Sequence, residues 1–564
     1  MSSALPGWVS AVVGLPGLAR GDYEPTFEMD AGYLPARQPE GVSGHPKDFA
    51  HLYFWRHSAM WPQQRRKLIL WLNGGPGCSS MDGALMELGP FRFQPNGSLA
   101  RVKRGIAWNE YADVVYVDQP VGTGFSLVDN DAYAQSLQQV ADEFVVFLRH
   151  FVKRYPAYAQ EDTDVFLAGE SYAGQYIPYM AHTLLETPDA PLTLRGVMIG
   201  NGFIDPRTQY GTSVETMQQA GVWQAQGPEL EHMAPFVQQC RDVMKKDDVV
   251  RSEYAECEAV ALEVERLTIT SEPGGGERCI NMFNLRLNDT APACGMNWPP
   301  EAKAMGAFLA RPDVRGALHV DQRLHPEAWV ECNSRVGRVL RAAAQSEKAS
   351  VHFLPTLLER GIRVLLFAGD QDLVCSSLGQ QRLVHALTWQ GQTGMGASVR
   401  PAPYLLNDKA IGTWIEARNL TLATFYNASH MAPYDQPLAT HDMMLRFVGV
   451  ERTWPTGFVP SVRTRIGDSE AWLVAAPARA PAPSSAHGAP APSAAAASHG
   501  VARGLWLWAL LVLGLAWCLY RRRRTHQPAS HGYYAVGQHI VDEPRRRPHD
   551  MEMNTFVLDE EEGV

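Results

Sequence analysis

Ser171 stands in the run Gly169-Glu-Ser-Tyr-Ala173, with Gly174 next. A serine hydroxyl is a weak nucleophile. It becomes a useful one beside a base that takes its proton and a carboxylate that orients the base. The chain supplies both types downstream, in the order serine, acid, histidine. Asp370 and Asp372 lie in Gly369-Asp-Gln-Asp-Leu-Val-Cys375, and His430 lies in Asn427-Ala-Ser-His-Met-Ala-Pro433. Such a set performs acyl transfer through a covalent intermediate. Either aspartate could instead cap its loop, and residue types alone leave the choice between them open.

These groups are far apart in the chain, so regular elements must bring them together. Val165–Ala168 has the length and apolar character of a buried strand, and Tyr176–Leu185 reads as a helix. A strand, a tight turn carrying a serine, then a helix is the nucleophile elbow of the α/β-hydrolase fold. Small residues at 169 and 173 suit a turn too sharp for larger side chains. The run departs from the usual pattern of that elbow by ending on Ala173. Lys67–Leu72 (KLILWL), Asp113–Asp118, Leu194–Gly200, Ile362–Phe367 and Leu420–Tyr426 read as further strands, and Leu137–Phe151 as a helix. The aspartates follow one of these strands and His430 follows the last. The expected fold class is therefore α/β, a mostly parallel sheet with helices on both faces. Residues 21–205 and 307–460 would form the two parts of this core. Residues 206–306 break the pattern with dense charge and four cysteines, and are expected to be an inserted cap subdomain stapled by disulfides.

The 564 residues suffice for a large core and more than one domain. A net charge of -10 is modest at this size and gives no reason to expect a nucleic-acid partner. Leu5–Ala19 is apolar and rich in small residues, so residues 1–20 are read as a signal peptide, although Pro6 and Pro16 interrupt the run and no basic residue precedes it. Residues 461–503 are expected to form an Ala/Pro/Ser-rich stalk. Gly504–Tyr520 is uncharged and is followed by Arg521–Arg524. It reads as one transmembrane helix, with residues 521–564 as a cytoplasmic tail. Tyr533-Tyr-Ala-Val536 resembles a tyrosine-based sorting signal for cytosolic machinery. Glycosylation sequons at Asn96, Asn288, Asn419 and Asn427 fit a lumenal catalytic part. Seven of the eight cysteines precede the span, and Cys518 lies within it. The odd number implies at least one free thiol on the oxidising side. His182, His319, His325 and His385 lack metal-ligand spacing. The glycine-rich run Asn73–Ser80 follows a strand but lacks the Lys-Ser/Thr of a phosphate loop. No metal or cofactor is expected.

Four stretches together resemble the serine carboxypeptidases. They are Trp71-Leu-Asn-Gly-Gly-Pro-Gly-Cys-Ser-Ser80, Gly169-Glu-Ser-Tyr-Ala-Gly174, Gly369-Asp-Gln-Asp-Leu-Val-Cys375 and Ser429-His-Met-Ala-Pro433, in the family's order. The resemblance implies Ser171 as nucleophile, His430 as base and Asp372, over Asp370, as the orienting acid. It implies an oxyanion hole from the N–H groups of Gly75 and Tyr172. It also assigns Asn73, Glu87 and Glu170 to the substrate's C-terminal carboxylate, and Cys375 to a free thiol lining the cleft. Cys78 and Cys332 match a bridge between distant core segments. Cys240–Cys257 and Cys279–Cys294 are the pairings expected in the insert. Met81–Pro90, Cys294–Pro299 and Asn427–His430 are most similar to the fungal pheromone-processing carboxypeptidases, although the segment before His51 departs from their pattern. That resemblance implies removal of C-terminal Lys and Arg from peptides and precursors, by a type I membrane enzyme of the trans-Golgi network. Competing readings are a broad-specificity acid carboxypeptidase, an acyltransferase on the same fold, and a catalytically inactive hydrolase-fold membrane receptor. The apparent span weighs against the first, which is a soluble type, and the complete serine, aspartate and histidine set against the last.

Overall fold

The apolar runs fold as strands of one fourteen-stranded sheet. The computed structural model describes residues 9–18, 27–37, 49–93, 97–102, 104–129, 131–451 and 461–473. The strands are β1 (Val9–Ala11), β2 (Met29–Pro35), β3 (Ala50–His57), β4 (Arg66–Leu72), β5 (Asp113–Asp118), β6 (Thr163–Glu170), β7 (Leu194–Gly200), β8 (Arg363–Gly369), β9 (Ala402–Leu406), β10 (Lys409–Ala417), β11 (Leu420–Phe425), β12 (Val462–Ile466) and β13 (Ser469–Leu473), with Leu127–Val128 pairing beside β3. Their spatial order is β1-β2-β3-β5-β4-β6-β7-β8-β11-β10-β9-β12-β13. The five pairs from β5 to β11 are parallel and both flanks are antiparallel. Parallel strands are covered on both faces, so β4 and β5 are apolar without alternation.

Successive side chains of β4 enter opposite layers. Leu68, Leu70 and Leu72 join one core with Phe144 and Phe147 of α1 (Leu137–Arg154) and Ile177 of α2 (Ala173–Glu186). Ile69 and Trp71 join the other with Trp108, Met444 and Phe447. The insert has a separate apolar cluster, built by Met233 and Cys240 of α3 (Pro228–Met244) with Cys257, Val260 and Val264 of α4 (Ala255–Leu267). Disulfides Cys240–Cys257 and Cys279–Cys294 staple it as expected, and Cys78–Cys332 ties two core segments together. After the insert, α5 (Ser334–Ala344) returns to the sheet through Val336 and Leu340.

Within the segment read as a leader, Val9–Ala11 pairs with β2, and Val12 and Leu15 are buried. Two expectations need correction. The stalk expected from residue 461 cannot begin there, because β12 and β13 extend the sheet beside β9. The helix after the elbow starts at Ala173, three residues early, because the turn is tighter than the apolar pattern shows. The stalk beyond Leu473, the span at 504–520, the tail and the sequon at Asn96 lie outside the described residues. Asn288, Asn419 and Asn427 are exposed. Among the described residues no helix is long and apolar enough to cross a membrane.

The β12–β13 hairpin buries Val462 and Leu473 and receives Arg446, whose guanidinium donates to Thr464 Oγ1 at 3.0 Å. A chain ending at Val450 should be less stable than one ending at Leu473, by about 1.5–3 kcal/mol for each of those two buried side chains. Urea unfolding of both truncations measures this; equal midpoints would show that the hairpin adds nothing.

Candidate active site

Ser171 lies between the C-terminal end of β6 and the start of α2, with φ of 60°. A serine reaches the left-handed region only when its surroundings hold it there. Its N–H donates to Gly200 O at 3.0 Å, and its carbonyl accepts from the N–H groups of Gly174 and Phe203, both at 2.9 Å. A Cβ at Gly169 would stand 2.1 Å from Leu72 O, and one at Gly174 2.5 Å from Phe203 O. The turn therefore admits no larger residue at either place.

His430 and Asp372 come from the loops after β11 and β8. His430 Nδ1 lies 2.7 Å from Asp372 Oδ2. Asp372 is fully buried, and its carboxylate also accepts from Val374 N at 2.9 Å and Cys375 N at 3.1 Å. Asp370 points elsewhere and accepts from the Gln371 side chain. A third group, absent from the sequence reading, completes the support. Asn201 Nδ2 donates to Asp372 Oδ2 at 2.8 Å, while its Oδ1 accepts from Gly369 N at 3.0 Å. Its only sequence signal was the turn-forming Asn201-Gly202 pair after a strand. The insert supplies Phe283, whose carbonyl accepts from His430 N at 2.9 Å and whose ring packs on the imidazole. With Nδ1 fixed on Asp372, the other ring nitrogen can take a proton from a nucleophile. Ser171 and His430 line the same cleft.

The glycine-rich loop crosses directly over the elbow. A Cβ at Gly74 would stand 2.4 Å from Tyr172 N, and Gly75 has φ of 104°, a conformation that glycine adopts at no steric cost. Gly75, Ser171 and Tyr172 share one wall of the cleft. Cys375 lines that wall as a free, buried thiol, and burial followed by the charge of Asp372 pushes it well above the usual thiol range.

A group of carboxyls fills the other side of the cleft. Asn73 Oδ1 accepts from Trp71 Nε1 at 2.8 Å and from Gly83 N at 3.3 Å, which turns its Nδ2 onto Glu170 Oε1 at 3.0 Å. Desolvation raises Glu87 to about 7, against the opposing pull of Glu170, Arg92 and His430. Desolvation and then the charge of Glu87 hold Glu170 well above the carboxylate range. Both are thus held toward the protonated form under mildly acidic conditions. Asp82 and Glu331, not anticipated from sequence, line the same cleft beside Trp298 and Pro299. Asp82 is raised by burial, then by Glu331 and Glu87, and its Oδ1 is buried without a hydrogen-bond partner. Neither residue stands in a spacing that would have marked it.

The Glu87 shift makes a stability prediction. A folded value of about 7 above an ordinary 4.5 means that the stabilisation is complete below 4.5 and is lost as pH rises through about 7. Glu110 and Glu253 shift the same way, so comparison with Glu87→Gln isolates the pair. Unfolding free energy should decline over that interval in wild type and decline less in Glu87→Gln. Parallel curves would rule out the coupled titration.

Against this geometry, sequence comparison matches residues 16–450 to the family described as serine carboxypeptidase. The pheromone-processing carboxypeptidase KEX1 of Coprinopsis cinerea is 38% identical over 471 residues, covering 83% of this chain and 74% of the relative. That of Podospora anserina is 42% identical over 413 residues, covering 71% and 68%. Among solved structures, the prohormone-processing carboxypeptidase KEX1(delta)p of Saccharomyces cerevisiae superposes with a TM-score of 0.69 at 32% identity, covering 78% of this chain and 95% of that one. The fold is accordingly that of the α/β-hydrolases, and this chain is an enzyme belonging to the serine carboxypeptidase family.

Proposed function

We propose that this enzyme removes C-terminal lysine and arginine from peptides and precursor proteins, with Ser171, His430 and Asp372 as its catalytic triad. Ser171 Oγ attacks the last peptide carbonyl while His430 takes its proton. The N–H groups of Gly75 and Tyr172 bind the resulting oxyanion. His430 then protonates the leaving amine, and water hydrolyses the acyl-enzyme by the same steps. Asn73 and the protonated carboxyls of Glu87 and Glu170 hold the substrate's free carboxylate. With both glutamates ionised, that pocket repels it.

One observation carries the basic selectivity. The part of the cleft next to Asn73 and Glu170 is lined by the Asp82 and Glu331 carboxyls, and none of the described residues lining it is a lysine or arginine. A desolvated group of like charges is costly unless a cation joins it. The side chain of a C-terminal lysine or arginine brings that cation. The names of the relatives, pheromone-processing and prohormone-processing carboxypeptidases, support a peptide precursor as substrate. Gly504–Tyr520 followed by Arg521–Arg524 supports a single-pass type I anchor in a late secretory membrane, the catalytic part lumenal and the tail available to cytosolic sorting proteins.

Matched peptides ending in Arg, Lys, Leu or Phe test the selectivity. kcat/KM should favour the basic pair by about 100-fold, and Asp82→Asn should cut that preference about tenfold, a change of about 1.4 kcal/mol. Ser171→Ala is the inactive control. Equal release of Leu and Arg would replace this reading with the broad-specificity one.

The carboxylate pocket also predicts pH behaviour. KM for a free-acid peptide should rise as pH passes through about 7, where Glu87 loses its proton and the pocket gains a negative charge. Ester or amide substrates without a free carboxylate should lack this limb. A KM that stays flat for the free acid from mildly acidic to mildly alkaline pH would remove Glu87 and Glu170 from carboxylate recognition.

A further inference from the structure

Arg341 sits near the C-terminal end of α5 with its side chain four-fifths buried. Its Nη2 donates to the Gly75 carbonyl at 2.9 Å. Its Nη1 lies 3.5 Å from Glu253 Oε1. Glu253 is 2% exposed and stands just ahead of α4, so it belongs to the insert. The Tyr172 hydroxyl neighbours the same Glu253 carboxyl. Gly75, one of the two residues assigned to the oxyanion hole, is therefore tied to an arginine–glutamate pair through its carbonyl.

The other end of α5 holds the same loop by different means. Cys332 is bonded to Cys78, Asn333 N donates to Gly77 O at 2.9 Å, and Ser79 N donates to Glu331 O at 2.8 Å. Those contacts fix Gly77–Ser79. They leave Gly75, a residue with no side chain and the broadest backbone freedom, to be fixed by something else. An oxyanion donor is useful only when held to within about 0.5 Å and 10–20° of its working geometry. The Arg341 bond is charge-assisted, so it is stronger than one between neutral groups.

We propose that Arg341, braced by Glu253, is a positioning residue for the oxyanion hole: it clamps the Gly75 peptide and thereby couples the insert to the transition state. The proposal rests on the assignment of Ser171 and of the Gly75 and Tyr172 N–H groups made above. The alternative role is structural, in which Arg341 only neutralises Glu253 and Glu258 at the wall of the cleft.

The two roles separate kinetically. An N-blocked amino aldehyde adds Ser171 Oγ to its carbonyl and places the resulting oxygen in the hole, whereas the released amino acid product occupies the carboxylate pocket and places no oxygen there. Arg341→Met should lower kcat and aldehyde affinity by a common factor of about 10 to 100, less than the loss from deleting a direct donor. KM and product affinity should stay within about twofold. Arg341→Lys should recover part of the loss, because an ammonium can reach Gly75 O or Glu253 but lacks the planar fork that holds both. Glu253→Gln should show the same pattern with a smaller factor, and it decides the matter if Arg341→Met does not fold. Unchanged kcat and aldehyde affinity in the folded variants would overturn the proposal. So would aldehyde and product affinities that fall together. Should wild type fail to bind the aldehyde and Ser171→Ala retain turnover, the assignment of the site itself is what falls.

Discussion

The loop at Gly74 meets the elbow at Ser171 backbone against backbone. No side chain fits between them, since a Cβ on Gly74 would collide with Tyr172 N, Glu170 O and Ser171 Cβ, all under 3.0 Å. Two backbones can meet this closely only where glycine removes the obstacle. Everything that the site needs follows from this contact. It sets the N–H groups of Gly75 and Tyr172 beside one nucleophile. It brings Asn73, the residue before the glycines, onto Glu170, the residue before the serine. The sheet exists in part to hold that contact. β4 and β6 are neighbours in register from Arg66↔Thr163 to Leu72↔Gly169, so the loop after one strand and the elbow after the other must meet.

The carboxyls oppose this tight packing electrostatically. Two unit charges about 4 Å apart repel by about 4 kcal/mol at an effective dielectric constant of about 20, equivalent to about three pKa units. Glu87 and Glu170 cannot both stay ionised against such a term, and the shifts of both run upward. Hydrogen bonding settles the orientation instead. Trp71 Nε1 and Gly83 N saturate the oxygen of Asn73, so its amide must donate to Glu170. The site thus keeps these carboxyls protonated at the place proposed above for the substrate's carboxylate. The arrangement lowers folded-state stability at high pH, consistent with functional sites carrying strained or desolvated groups.

What was readable in the sequence is what depends on short range. The elbow announced itself because a strand, small residues and a helix are contiguous from Val165 to Leu185. Asp370, Asp372 and His430 stood out because each follows a strand, and the family resemblance alone favoured Asp372. Asn201 was missed because its partner Asp372 is 171 residues away, and only the β7–β8 pairing joins them. Arg341, Asp82 and Glu331 were missed for the same reason; nothing around them differs from an ordinary helix or loop. Small apolar residues suit an exported leader and a sheet edge equally, and Val9–Ala11 pairs beside β2 at the end of the sheet. β12 was hidden because Val462-Arg-Thr-Arg-Ile466 alternates charged with uncharged residues beside a Pro-rich segment, the pattern of an antiparallel strand with one face in water.

The insert changes meaning once these contacts are counted. From its charge and cysteines it reads as an appendage stapled for its own stability. In the structure it furnishes Phe283 to His430 and Glu253 to Arg341, and its apolar cluster takes in Leu373, the residue after Asp372. A segment that touches His430 and the loop of Asp372, and reaches Gly75 through Arg341, cannot shift without disturbing all three. On the proposed mechanism its two disulfides therefore act on the chemistry as well as on folding. They limit the motion of a wall against which the proposed triad and oxyanion donors are set, and such preorganisation is worth most in a site where low dielectric magnifies each misplaced dipole.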